Sequence, residues 1–344
     1  MTPARLLRDA TLVTAVLLGT VYAGSARLAH LDPALLGYLA ATLAAAFVTT
    51  YRVSAFWRRP ASAVYGRALV AALGRPRDLL RALGVAGQEL AAQRLIARRS
   101  RARWLGHLAL SGGTLAAFAV TVPLVLGWLH FEAVGEHTYR AVLFSLPVAR
   151  FAADGVVGWL VFHTLGLAAV AVVLGCAYFL LARRRERPTA FHLAPLLVLL
   201  AVALSGLVLP VAARAGVLWL FPLAAGVHEA TVVLLLLALP RGKLVHLFIR
   251  PLHVGARLVR AAGTPVARCR GCAAPTAPVV QRDAVRVLLA AHGFRFAEHE
   301  QLCPACRRRQ LALTQADLLG AQFQPPLLAM RLGRFEPPPG QKVA

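Results

Sequence analysis

Six long apolar runs separated by arginine-rich stretches constrain this chain more than any other feature. A bilayer crossing takes roughly 20 consecutive, mostly apolar residues. The runs at 10–24, 33–57, 104–129, 156–182, 191–213 and 217–239 are read as such crossings. The first is the shortest, and Ala23-Gly24-Ser25-Ala26 has the small residues of a signal-peptide cleavage site. Its removal therefore stands as an alternative to its retention, although no strongly polar segment follows it. Only 15% of the 344 residues are charged, against about 25% in ordinary soluble domains. The formal net charge is nevertheless +24.

A basic, apolar chain is either a nucleic-acid binder or a membrane protein with arginine-rich cytoplasmic loops. The positions of the charges decide between these. The stretch 58–103 holds eleven arginines against Asp78 and Glu89, the loop after the fourth run reads Arg183-Arg184-Arg185-Glu186-Arg187, and sixteen Lys and Arg follow from Arg241 onward. With Arg5, Arg8 and Arg52, 34 basic residues fall on one side of the runs, and only Arg27, Arg140, Arg150 and Arg214 on the other. Positive residues stay in the cytoplasm during insertion, so the charge reports topology and no nucleic-acid partner is expected. Six crossings put both termini in the cytoplasm. The expected fold is an all-α polytopic membrane protein of the cell's inner (cytoplasmic) membrane.

The expected organisation is an N-terminal membrane helix (1–32), a helical membrane domain (33–255), a small cytoplasmic module (256–325) and a flexible tail (326–344) that contains Pro337-Pro338-Pro339-Gly340. Within 58–103, apolar residues recur at Leu79, Leu80, Leu83 and Val85, then at Leu90, Leu95 and Ile96. That spacing suggests amphipathic helices on the membrane surface or on a partner.

Four histidines stand out as membrane-embedded or interfacial: His107, His163, His228 and His246. His130 and His192 mark the ends of runs and read as interface residues. A polar side chain in lipid is a functional candidate by default; the competing reading is a histidine hydrogen-bonded to a neighbouring helix. His228 and His246 are 18 residues apart. On a straight helix that is five turns and roughly 27 Å on one face, the placement two stacked haems require, with Pro240 between them able to bend the axis. His107 and His246 sit at matching depths beside the arginine-rich side. His228 and His163 are mismatched by about 10 Å at 1.5 Å per residue. The position on the third run level with His228 is Ala117, which cannot ligate iron.

The run Leu239-Pro240-Arg241-Gly242-Lys243-Leu244-Val245-His246-Leu247-Phe248-Ile249-Arg250-Pro251 resembles the end of the last helix in membrane b-type cytochromes of the nitrate reductase gamma-subunit kind. That family extends to the membrane domains of heterodisulfide-reductase-like and sulfite-reduction-associated complexes. The stretch from Gln93-Arg94-Leu95-Ile96 to Arg103-Trp104-Leu105-Gly106-His107-Leu108-Ala109-Leu110 is similar to the segment leading into that family's first haem-bearing helix. The resemblance covers about residues 35–255. It implies that His107 and His246 hold a haem b near the cytoplasmic face. It also implies that His228 serves an outer haem, whose second ligand would stand at Ala117. One haem or two therefore remain open, and His163 is left as a substitute ligand, a quinone-site residue or a structural group.

A second constellation is Cys269-Arg270-Gly271-Cys272 and, after thirty intervening residues, Cys303-Pro304-Ala305-Cys306. Two CxxC pairs present four sulfurs to one ion, and the cytoplasm keeps them reduced. Zinc is the expected metal; iron in a rubredoxin-like site is the alternative. Cys272 is followed by Ala273-Ala274-Pro275, without the glycine and aromatic residues of rubredoxin, which favours zinc. His292 and His299 read as surface residues and Cys176 as core.

Two functions follow. One is a haem b membrane subunit that moves electrons between the membrane quinone/quinol pool and a cytoplasmic redox subunit, with quinone chemistry near His228 and Glu229. The other is a non-redox transporter or scaffold with a zinc-binding tail. No inverted repeat is apparent, which counts against a transporter.

Overall fold

The computed structural model describes residues 3–183, 190–294 and 299–320, without the side chains of 183 and 190–192. The arginine loop at 184–187, the side chain of His192 and the tail 326–344 lie outside the described residues. The chain divides into two compact units, one reaching to Leu258 and the other starting at Val259.

The first unit opens with α1 (Pro3–Gly24) and α2 (Leu36–Trp57). Asp32 starts the short turn ahead of α2 by accepting the Ala34 N–H. Two shorter helices follow, α3 (Pro60–Leu73) and α4 (Pro76–Ala86), each beginning on a proline, whose missing N–H and fixed φ suit a first helical turn. A single turn α5 (Arg94–Ala97) leads to α6 (Arg101–Val125), where Ser100 accepts the Arg103 N–H as a cap. After β1 (Leu129–Ala133), β2 (Thr138–Leu143) and β3 (Leu146–Ala152) come α7 (Val156–Arg183), α8 (Ala190–Arg214) and α9 (Leu220–Ala238). The unit closes with α10 (His246–Ile249) and the start of α11 (Leu252–Ala261). Among the described residues, α1, α2, α6, α7, α8 and α9 are long and apolar enough to cross a membrane, the pattern of a multi-pass membrane protein.

Neighbouring helices in space are α1 and α2, α2 and α9, α9 and α8, α8 and α7, and α7 and α6. Small residues set the closest approaches. A Cβ on Gly113 would lie 2.6 Å from the Ala168 carbonyl, and one on Gly175 would lie 2.7 Å from the Leu110 nitrogen, so α6 and α7 meet backbone to backbone. Ala41 and Ala45, one turn apart on α2, receive Leu236 and Leu239. Val172, Cys176, Leu196, Leu199, Ala203 and Leu235 form the core of α7, α8 and α9.

Two departures from the all-helical expectation stand out. Residues 129–152 form a three-stranded antiparallel sheet in the order β1-β2-β3. Phe144 and Ser145, both at positive φ, make the two-residue turn between Leu143 and Leu146, the geometry that matches strand twist. The Phe144 ring packs against Trp128, and both come within 3 Å of where a Cβ on Gly24 would lie. The second departure is at the end of α9, where the helix stops at Ala238. Pro240 cannot continue the hydrogen-bond ladder, and Gly242 turns the chain at φ +60°. His228 and His246 therefore do not share one straight helix.

The second unit carries β4 (Val266–Arg268), β5 (Pro275–Pro278), α12 (Val279–Ala291) and α13 (Pro304–Leu318). β4 and β5 pair antiparallel, so this module too is not purely helical.

Candidate functional site

In the first unit, the ring of His107 is oriented by a chain of hydrogen bonds whose direction is set at one end. The His107 carbonyl can only accept, so the Ser111 hydroxyl donates to it at 2.7 Å. Ser111 Oγ then accepts from Gln93 Nε2 at 2.7 Å, which turns Gln93 Oε1 toward His107 Nδ1 at 2.8 Å. An amide oxygen only accepts, so Nδ1 carries the proton and Nε2 keeps its lone pair. Gln93 is 4% exposed and holds a left-handed backbone at φ +51°. The segment is tied to α6 by Trp104 Nε1, which donates to the Ala92 carbonyl at 2.9 Å. Phe179 meets the His107 ring edge-on at 6.3 Å.

His246 opens α10, which packs on α2. Its Nδ1 donates to the Lys243 carbonyl, so here too Nε2 is the free lone pair. His246 and Arg250 both lie within electrostatic reach of His107. His107, His246 and the Arg250 guanidinium thus lie at one end of the bundle.

His228 and His163 have partners of their own. His228 Nδ1 contacts Ser205 Oγ at 3.0 Å, and Ser205 in turn contacts Thr231 Oγ1 at 3.0 Å. Gly206 leaves the room that the His228 ring fills; a Cβ there would lie 3.1 Å from Cε1. Its neighbour Glu229 points instead at α2, against Gly37 and near Tyr38. His163 is exposed, donates to the carbonyl of Trp159 at 2.8 Å and stacks on that indole at 4.7 Å. Gln93, Ser111 and Arg250 were not among the expected site residues. Gln93 opens the stretch 93–110, but nothing there marks it as the partner of His107.

In the second unit, Cys269, Cys272, Cys303 and Cys306 converge, with all four sulfurs within 4.8 Å of one another. Four sulfurs at about 2.3 Å from a tetrahedral ion stand about 3.8 Å apart; Cys272 and Cys303 Sγ are at 3.6 Å. The first pair sits in the turn between β4 and β5, where Ala273 takes φ +57°. The second pair sits at the start of α13, with Cys303 as its cap. Each half points backbone N–H groups at sulfur. Cys269 Sγ accepts from Cys303 at 3.1 Å and Gly271 at 3.4 Å, and Cys303 Sγ accepts from Cys306 at 3.4 Å. A Cβ on Gly271 would lie 3.3 Å from Cys306 Sγ, so glycine keeps this approach open.

The donated N–H of Cys303 holds the Cys269 thiol down at about 6. The N–H of Cys306 likewise lowers Cys303. Cys306, sharing protons first with Cys272, is pushed up to about 12. Cys269 is thus prepared as a thiolate before a cation arrives, and Cys303 is shifted in the same direction. The cluster fits a metal ion such as zinc or iron.

The chain has no significant match among protein-family models, curated proteins or solved structures.

Proposed function

We propose that this protein is the membrane-anchored b-type cytochrome subunit of a quinone-linked oxidoreductase in the cytoplasmic membrane. Its role is to pass electrons between the quinone pool and a cytoplasmic redox subunit. The observation that carries the reading is the shared state of His107 and His246. Each is pinned through Nδ1 to a carbonyl oxygen and left with a free Nε2, at the same end of the bundle. Haem iron takes axial imidazoles, and a partner on the second ring nitrogen fixes the ring and raises its basicity. Arg250 supplies the positive charge that haem carboxylates require. The resemblance of 93–110 and 239–251 to gamma-subunit cytochromes supports the same pair.

A bound haem b supplies reversible one-electron transfer. The chain's own residues do the rest. Gln93 and the Lys243 carbonyl hold the two rings, and Phe179 limits the tilt of His107. His228 with Ser205, and Glu229 on the adjoining face, offer proton-carrying groups in the far half of the bundle, where quinol must release protons. Ala117 supports one haem per chain rather than two, which leaves His228 free for this task. The four cysteines hold zinc as a structural ion that shapes a docking module for the redox partner.

Reduction of the cytochrome by added quinol tests the reading in native membranes. His228→Ala is expected to slow that reduction while haem content stays constant. Unchanged reduction together with unchanged haem would refute the quinol site. The alternative, a non-redox membrane scaffold with a zinc-binding tail, is favoured by the four-cysteine cluster, which needs no haem to form.

A further inference from the structure

At the end of the bundle opposite His107, the turn after α1 meets the strand that follows α6. His30 and His130 touch there, with ring centroids 4.0 Å apart and planes tilted by 46°. The Nδ1 atoms of both rings are buried and have no hydrogen-bond partner. Buried polar atoms of side chains are nearly always paired, and an orphan calls for a water, an ion or a chemical role. Two orphans on touching rings call for one explanation. We propose that His30 and His130 form a two-imidazole site for a divalent transition-metal ion, zinc foremost.

The electronic state of His130 supports metal rather than water. Its Nε2 lies 3.3 Å from Glu132 Oε1, and Glu132 is in turn held by Arg140 through Nε at 2.9 Å and through Nη2. The paired carboxylate is acceptor-only, so Nε2 carries the proton and the lone pair falls on the buried Nδ1. A carboxylate behind an imidazole that presents its other nitrogen is the arrangement that orients and strengthens metal-ligating histidines. Imidazole pairs suit zinc and copper, with water completing the shell.

The two halves are held together independently of any ion. Trp128 Nε1 donates to the Thr20 carbonyl at 3.0 Å. Gly127, at φ +67°, lies so close to Ser25 and Leu31 that a Cβ would come within 3 Å of both side chains. The His30 N–H closes onto the Ser25 carbonyl at 3.1 Å. The ion would clamp the α1–α2 turn to β1. This site does not depend on the haem reading.

The full chain, with its four-cysteine cluster already saturated, is titrated with zinc and counted by elemental analysis after removal of loose metal. One zinc beyond that held by the cysteines is expected. His30→Ala and His130→Ala each lose it, while Glu132→Gln keeps it with affinity weakened about 10–100-fold. Zinc should raise the melting temperature of the wild type and not of the two alanine variants. X-ray absorption on the extra zinc of the wild type should show imidazole scattering, and this holds even if a variant fails to fold. No extra zinc in the wild type, or an extra zinc retained by both histidine variants, or one without imidazole ligands, overturns the proposal.

Discussion

The orientation of His107 rests on a single amide, and that makes Gln93 the most informative residue to change. Gln93→Leu fills similar volume but leaves Nδ1 without its acceptor. Haem affinity should fall about 10–100-fold, the usual effect of removing a group that supports a ligand. Gln93→Glu restores an acceptor and should recover most of it. Titration of haem into the haem-free protein measures both; equal affinities for the wild type and Gln93→Leu would show that the amide does not support a ligand. At the cysteine cluster, zinc competes with protons. Cys269, at about 6, is already a thiolate at neutral pH, whereas Cys306, at about 12, must give up its proton. Zinc uptake at neutral pH should therefore release fewer than four protons. Affinity should fall as pH falls, and more steeply below about pH 6, where Cys269 also becomes protonated. Calorimetry in buffers of different ionisation enthalpy counts the protons. These residues differ in how readable they were. Paired CxxC spacing announces a shared ion because both halves are local motifs. Gln93 and the His30–His130 contact are tertiary coincidences, the second joining residues 100 positions apart.

Among the elements, the six apolar helices were legible because lipid demands length and hydropathy, and both are written in the local sequence. Their observed ends fall within a few residues of the apolar runs, except that α1 begins earlier, in an arginine-bearing turn. The three-stranded sheet was not legible. Its tight turn uses Phe144 and Ser145 at positive φ rather than the glycine or asparagine that signals such a turn. The break after Ala238 was foreshadowed by Pro240, but where the chain resumes as α10 depends on packing against α2. The contact between α6 and α7 gives a clean test of helix packing. Gly175→Val would force side-chain atoms into the Leu110 backbone and should destabilise the protein by about 1–3 kcal/mol. Gly166→Ala, on the same helix with nothing within 4 Å of its Cβ, should be neutral or slightly stabilising. Thermal denaturation in detergent compares the two; a melting temperature unchanged by Gly175→Val would show that the helices do not pack this closely.

For the whole molecule, the division of 34 basic residues from four predicts which side each loop occupies. A cysteine placed at Glu136, between β1 and β2, should react with an impermeant thiol reagent in intact cells. One placed at Arg67 on α3 should react only after the membrane is opened. Reversed labelling would invert the assignment of His107 and His246 to the cytoplasmic face, and with it the side proposed for a soluble redox partner. The most direct measurement is the visible absorption spectrum of the purified full chain, with haem quantified per polypeptide, for the wild type and for His107→Ala, His246→Ala and His163→Ala. The wild type should hold about one b haem with the low-spin spectrum of two axial imidazoles. His107→Ala and His246→Ala should each lose that spectrum, and His163→Ala should keep it. A wild-type protein without haem, or both ligand variants with an unchanged low-spin spectrum, would contradict haem ligation by this pair.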